Sequence, residues 1–174
     1  MTETASVGFH GKSRLWKYRW ILFVGIPLGA ILFQVYIPRF VEQLAYLELP
    51  LLLTLYVSMM RRSPVLGVGF GATMGLAQDS LSHNPLGMFG IVKTLVGYFA
   101  AFVSQRFDID NPLVRFSLAL FFVFFHQLLY WVMTRALLGV VFDFDPKQAG
   151  VESVLNAAVA VPLFHILDRL KINE

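Results

Sequence analysis

From Phe116 to Thr134 the chain runs without one formal charge, and Trp20–Pro38 is likewise uncharged, its apolar run broken only by Gln34. An apolar stretch of about 18 residues or more is the length that crosses the hydrocarbon of a bilayer as a helix. Inside lipid no water is at hand for the backbone, so each N–H and C=O must find its partner within the segment, and helix is the form that supplies it. These two runs predict an all-α integral membrane protein. Composition agrees: 57% of residues are hydrophobic and 14% charged, where a soluble domain carries about a quarter charged. So little charge excludes an ordinary soluble enzyme or a disordered chain. A net charge of only +3 also argues against a nucleic-acid module built on a basic patch. With no cysteine, thiol catalysis, disulfides and Cys-based metal sites are excluded as well.

Four weaker segments accompany the two strong ones. Leu47–Met60 carries Glu48 at its start, Pro64–Gln78 is uncharged and glycine-rich, Leu86–Gln105 surrounds Lys93, and Val151–Leu167 holds Glu152 and His165 near its ends. Short polar turns join them, as a polytopic bundle requires. The expected domain is a six-transmembrane-helix bundle over residues 20–171, with approximate spans 20–38, 47–60, 64–79, 86–105, 113–138 and 151–168. A basic cytoplasmic tail, 1–19, precedes it, and four spans result if the glycine-rich pair is re-entrant. Cytoplasmic loops collect Lys and Arg. An inside N-terminus puts Lys12, Arg14, Lys17, Arg19, Arg61, Arg62, Arg106, Arg115, Arg169 and Lys171 on the cytoplasmic side. Only Arg39, Arg135 and Lys147 fall outside, so both termini are expected in the cytoplasm and the loop Gly139–Gly150 outside. The first apolar run reads as an uncleaved signal-anchor.

Two sets of residues stand out within the spans. Gly67, Gly71 and Gly75 recur every four residues, Gly25 and Gly29 repeat that spacing in the first span, and Gly90 and Gly97 follow in the fourth. Such stripes let another helix backbone approach closely, either within the bundle or as a dock for a partner helix, the first span being the better candidate for the latter. The second set is ionisable. Chain direction puts Glu48, Asp79, Lys93, Arg135 and Glu152 all in the outer half. Buried charge demands a partner, which predicts Lys93 with Asp79 or Glu48, and Arg135 with Glu152. The competing reading is an outward-facing pocket for a ligand or partner.

In the turn from Gln78 to Gly87, Asp79 and two serines suit the end of one helix and Pro85 the first turn of the next. No nucleophile motif, metal-ligand cluster or phosphate loop accompanies them, so no catalysis and no cofactor are expected. His126 reads as a hydrogen-bonded core residue. Ser153, Asn156, Ala157 and Ala160 share one face of the last span, a small polar stripe directed inward, and Pro162 removes a backbone donor there.

Taken in order, these features resemble the bacterial rod shape-determining MreD family. The resemblance is carried by Leu55-Tyr56 before a basic turn, the glycine helix from Gly67 to Asp79, the turn ending Pro85-Leu86-Gly87, Thr94–Tyr98, and a last helix with Asn156, Pro162 and Asp168–Lys171. It implies a non-enzymatic inner-membrane component of the cell-elongation machinery. Its implied partners are MreC, a single-span coiled-coil protein, together with RodA, a class B penicillin-binding protein and membrane lipids. It also implies likeness in architecture to the six-helix S-components of energy-coupling-factor transporters. That likeness keeps open an alternative, a membrane protein binding a small molecule or lipid.

Overall fold

A computed structural model describes residues 24–37, 40, 42–82, 85, 87–139 and 143–170. The tail 1–19, the first residues of the first span, Arg39, His83, Asn84, Leu86 and Lys171 lie outside the described residues. The described chain is all-helical: α1 Ile26–Tyr36, a short 3-10 turn Glu42–Tyr46, α2 Leu49–Arg61, α3 Pro64–Leu81, α4 Met88–Ser104, α5 Pro112–Leu138 and α6 Pro146–Leu170.

Local signals account for most of the ends. Proline occupies the first turn of α1, α2, α3 and α5, where its missing N–H would have had no partner anyway. Asn111 caps α5 by accepting the N–H of Leu113 at 2.9 Å. Gly139, at φ 63°, stops α5, a conformation that costs an L side chain roughly 1–2 kcal/mol. The start of α6 differs from expectation. It begins at Pro146, inside the stretch expected to be an outer loop, because Asp145 accepts the N–H groups of Lys147 and Gln148 at 2.9 and 3.3 Å. Asp followed by Pro is a helix start signal; its position in a polar stretch concealed it.

Three stretches are long and apolar enough to cross a membrane: Leu44–Arg61, Pro112–Leu138 and Pro146–Leu170. With α1 and α4 as shorter apolar helices, the chain is an all-helical membrane protein. α2 is the centre. From Pro50 to Met59 it is buried almost throughout, and it touches α1, α3, α4, α5 and α6. A helix apolar all round belongs in the interior. Since lipid is as apolar as leucine, close packing and internal hydrogen bonds rather than escape from water hold such a bundle together. α3 and α4 make the most extensive pair, and α5 and α6 form a second antiparallel pair.

Candidate functional site

Lys93 lies on the second turn of α4 and is 0% exposed. An ammonium so placed requires compensation, and three groups supply it. The Glu48 carboxylate just ahead of α2 lies 3.3 Å from Nζ. The Phe89 ring, one turn back on α4, presents its face 4.4 Å away, an attraction of cation to ring quadrupole. His126 of α5 brings Nε2 to 3.5 Å. Facing an ammonium donor, Nε2 acts as acceptor and the ring proton belongs on Nδ1, which is buried without a hydrogen-bond partner. Phe89 stacks on both His126 and Tyr130, with centroids at 6.1 and 5.1 Å, fixing the ring that the lysine sits over.

Glu48 is held at both of its ends. Its backbone N–H donates to Asn156 Oδ1 at 2.8 Å, while Asn156 Nδ2 donates to the carbonyls of Tyr46 and Glu152 at 2.7 and 2.9 Å. Asn156 is 0% exposed, and these bonds use both faces of its amide. It therefore ties the middle of α6 to the turn that leads into α2. Ser153, Ala157 and Ala160 on the same face are buried with it. Asn156, Glu48, Lys93 and His126 thus form a polar chain through α6, α2, α4 and α5.

Asp79 is joined to this chain through backbone rather than charge. Its carboxylate accepts the N–H groups of Gly87 and Gly90 on Oδ2, each at 3.0 Å, and of Phe89 on Oδ1 at 3.2 Å. The opening N–H groups of a helix have no intrahelical partner, and a negative charge there also meets the favourable end of the dipole. The last turn of α3 therefore caps α4. Gly87 makes the approach possible, since φ 96° is open to glycine. Of the two acids expected beside Lys93, Glu48 makes the ion pair and Asp79 is taken by the cap.

The glycine stripe of α3 sets the depth of α4. A Cβ on Gly67 would overlap the carbonyl of Gly97, and the converse holds; one on Gly71 would meet the Lys93 carbonyl, and one on Gly75 the Phe89 carbonyl and Gly90 Cα. Gly90 faces the flexible Leu76 side chain. These glycines pack within the molecule and bring the Lys93 backbone against α3. A Cβ on Gly29 would meet nothing within 4 Å among the described residues, and Gly25, one turn back, is exposed. Pro162 is exposed on α6, whereas Ala160 is buried.

One expected pair does not form. Arg135 is exposed, its guanidinium 5.6 Å from the Trp131 ring, and Glu152 accepts from Gln148 at 2.9 Å, one turn back on its own helix. Among the described residues no ion pair joins Arg135 to Glu152. Equal depth on two helices gave no information about azimuth, and each side chain found a partner on its own helix.

A second polar cluster went unread in the sequence. Arg115 pairs with Asp168 at 2.6 Å and donates from Nε to the Ile109 carbonyl, and the Tyr56 hydroxyl donates to the other Asp168 oxygen at 3.0 Å. It clasps α2, α5 and α6 near the end away from Lys93. An acid one turn from the end of α6 and an arginine one turn into α5 were the available signal. Among the described residues no group of three metal-ligating side chains occurs.

A family model described as rod shape-determining protein MreD matches residues 15–170 of the chain. No curated protein and no solved structure matches it.

Proposed function

The chain belongs to the rod shape-determining protein MreD family, and on that premise we propose that it is a membrane scaffold of the cell-elongation complex that docks the single span of MreC on α1. Membership places it in rod-shape determination; the partner and the docking face are our reading. The observation that carries it is the contrast between two glycine stripes. That of α3 is filled by the α4 backbone, whereas a Cβ on Gly29 of α1 would meet nothing among the described residues. The inner side of α1 is occupied, with Pro27, Ala30 and Ile31 buried. On its other side Gly25, Leu28, Gly29 and Leu32 are exposed, a small-residue groove between larger side chains of the kind that helices in lipid use to approach one another.

The polar chain through Lys93 acts in this scheme as the brace that keeps the platform rigid. Glu48 is engaged with Lys93 and Asn156, and Asp79 with the first backbone N–H groups of α4, which weighs against their lining a ligand pocket of S-component type. We place the protein in the bacterial inner membrane with six spans and both termini in the cytoplasm, supporting RodA and the class B penicillin-binding protein in lateral peptidoglycan synthesis. The role is assembly, not catalysis. Depletion should turn rods into spheres, and the detergent-solubilised protein should co-purify with a single-span coiled-coil partner. Retention of rod shape on depletion, or a stoichiometric small molecule with no protein partner, would overturn the proposal.

A further inference from the structure

From the far end of α4 we infer a binding site for the phosphate headgroup of an anionic lipid, formed by Arg62 and Arg106 above an aromatic rail on α4. Arg62 ends α2 at φ 50°, the one non-glycine residue with positive φ among those described. Glycine serves there without the Cβ penalty. An arginine held in that conformation presents its side chain at a place the backbone fixes. The turn is fixed from the other side as well, because Gln105 Nε2 donates to the Arg62 carbonyl at 3.1 Å. That bond brings the end of α4, and with it Arg106, beside the α2–α3 turn. Both arginines are exposed.

At this end of the bundle Asp110 of the α4–α5 loop and Asp168 of α6 face Arg115. With Arg61, Arg62, Arg106, Arg115 and Arg169 set against Asp108, Asp110 and Asp168, positive charge is in excess there. What selects a lipid over a free anion lies directly beneath. Arg106 sits 5.6 Å over the Phe102 ring, and Phe102 stacks on Tyr98 one turn deeper, with centroids at 6.5 Å. Both rings are exposed, at 45% and 41%, and Phe99 beside them is exposed too. An arginine fork matches phosphate oxygens in two parallel hydrogen bonds, and the rings continue from it along the line an acyl chain would take. Basic sites at helix ends beside the membrane are where anionic headgroups collect.

The test is native mass spectrometry of the full-length chain in detergent, loaded with phosphatidylglycerol or with phosphatidylcholine of the same acyl chains. The unaltered protein should retain phosphatidylglycerol preferentially. Arg62→Gly places in the turn a residue that adopts its φ freely, so the fold persists while the guanidinium is lost; Arg106→Gln removes the other. Each should lower the preference roughly fivefold, the factor equivalent to about 1 kcal/mol for one basic side chain at a membrane surface. Arg169→Gln, an exposed arginine at the end of α6, should leave it unchanged. Four results would overturn the inference: full preference in Arg62→Gly, an equal loss in Arg169→Gln, displacement by inorganic phosphate as effective as by the lipid, or release by Arg62→Gly of a bound acidic protein in place of a lipid.

Discussion

Cutting the ion pair between Lys93 and Glu48 from either side should give unequal losses, and cutting both should cost less than the worse of the two. Nζ and Oε2 are 3.3 Å apart, and the side chains are 0% and 22% exposed. Glu48→Leu strands an ammonium with no access to solvent, leaving it only the Phe89 face and the His126 ring. Removing one partner of a buried pair costs about 3–5 kcal/mol, and this variant belongs in that range. Lys93→Met strands a carboxylate that is less enclosed, with 22% of its side chain accessible, and the same reasoning puts it nearer about 2 kcal/mol. The double variant buries two apolar side chains of similar length, a change often neutral for such pairs, so about 1–2 kcal/mol is expected. The bond from the Glu48 N–H to Asn156 survives all three substitutions, since it belongs to the backbone. The coupling energy should be about 3 kcal/mol or more, above the largest values found for neutral hydrogen bonds between membrane helices. Reversible unfolding in mixed micelles, followed by helicity, measures it. Losses that simply add, with coupling under about 0.5 kcal/mol, would refute the pairing and the brace built on it.

Other parts of the scaffold yield sharper contrasts. Asp79→Ala should cost about 2–3 kcal/mol, since it strands buried N–H groups, and hydrogen exchange at Phe89 and Gly90 should accelerate ahead of the rest of α4. Gly71→Ala drives a methyl group into the Lys93 carbonyl and should cost about 2 kcal/mol or more by overpacking, read as a lower unfolding temperature in detergent. Gly29→Ala meets open space and should leave that temperature unchanged while weakening co-purification of the partner. Arg115→Gln should destabilise by about 3 kcal/mol by leaving Asp168 uncompensated, and Tyr56→Phe by about 1 kcal/mol, both in the same unfolding assay.

Helix positions were legible because apolar runs and short polar turns report directly on what lipid permits. α3, α4 and α5 lie within about two residues of the segments read from the sequence, and α6 departed only where Asp145-Pro146 passed for loop. Buried polarity was legible too: Glu48, Lys93 and Asn156 stand out by charge or polarity in an apolar setting, and they meet in one chain of contacts. Azimuth was not. Spacing alone does not decide between Glu48 and Asp79 as the partner of Lys93, and it wrongly suggested Arg135 with Glu152. Nor does it show that Asn156 reaches the Tyr46 carbonyl 110 positions away. Tyr56, Arg115 and Asp168 escaped because residues near helix ends read as ordinary interfacial groups until three helices are seen to bring them together. The glycine stripes were visible as a pattern, but which was filled and which was open depended on packing.

Crosslinking in living cells tests most directly whether the open side of α1 is the docking face. A photoreactive residue placed at Leu28 or Leu32 of α1 is compared with one at Val68 of α3, all three exposed. An adduct to the single-span coiled-coil partner is expected from the α1 positions and none from Val68. Adducts from Val68 alone, or none from α1 in cells whose rod shape depends on the protein, would contradict it.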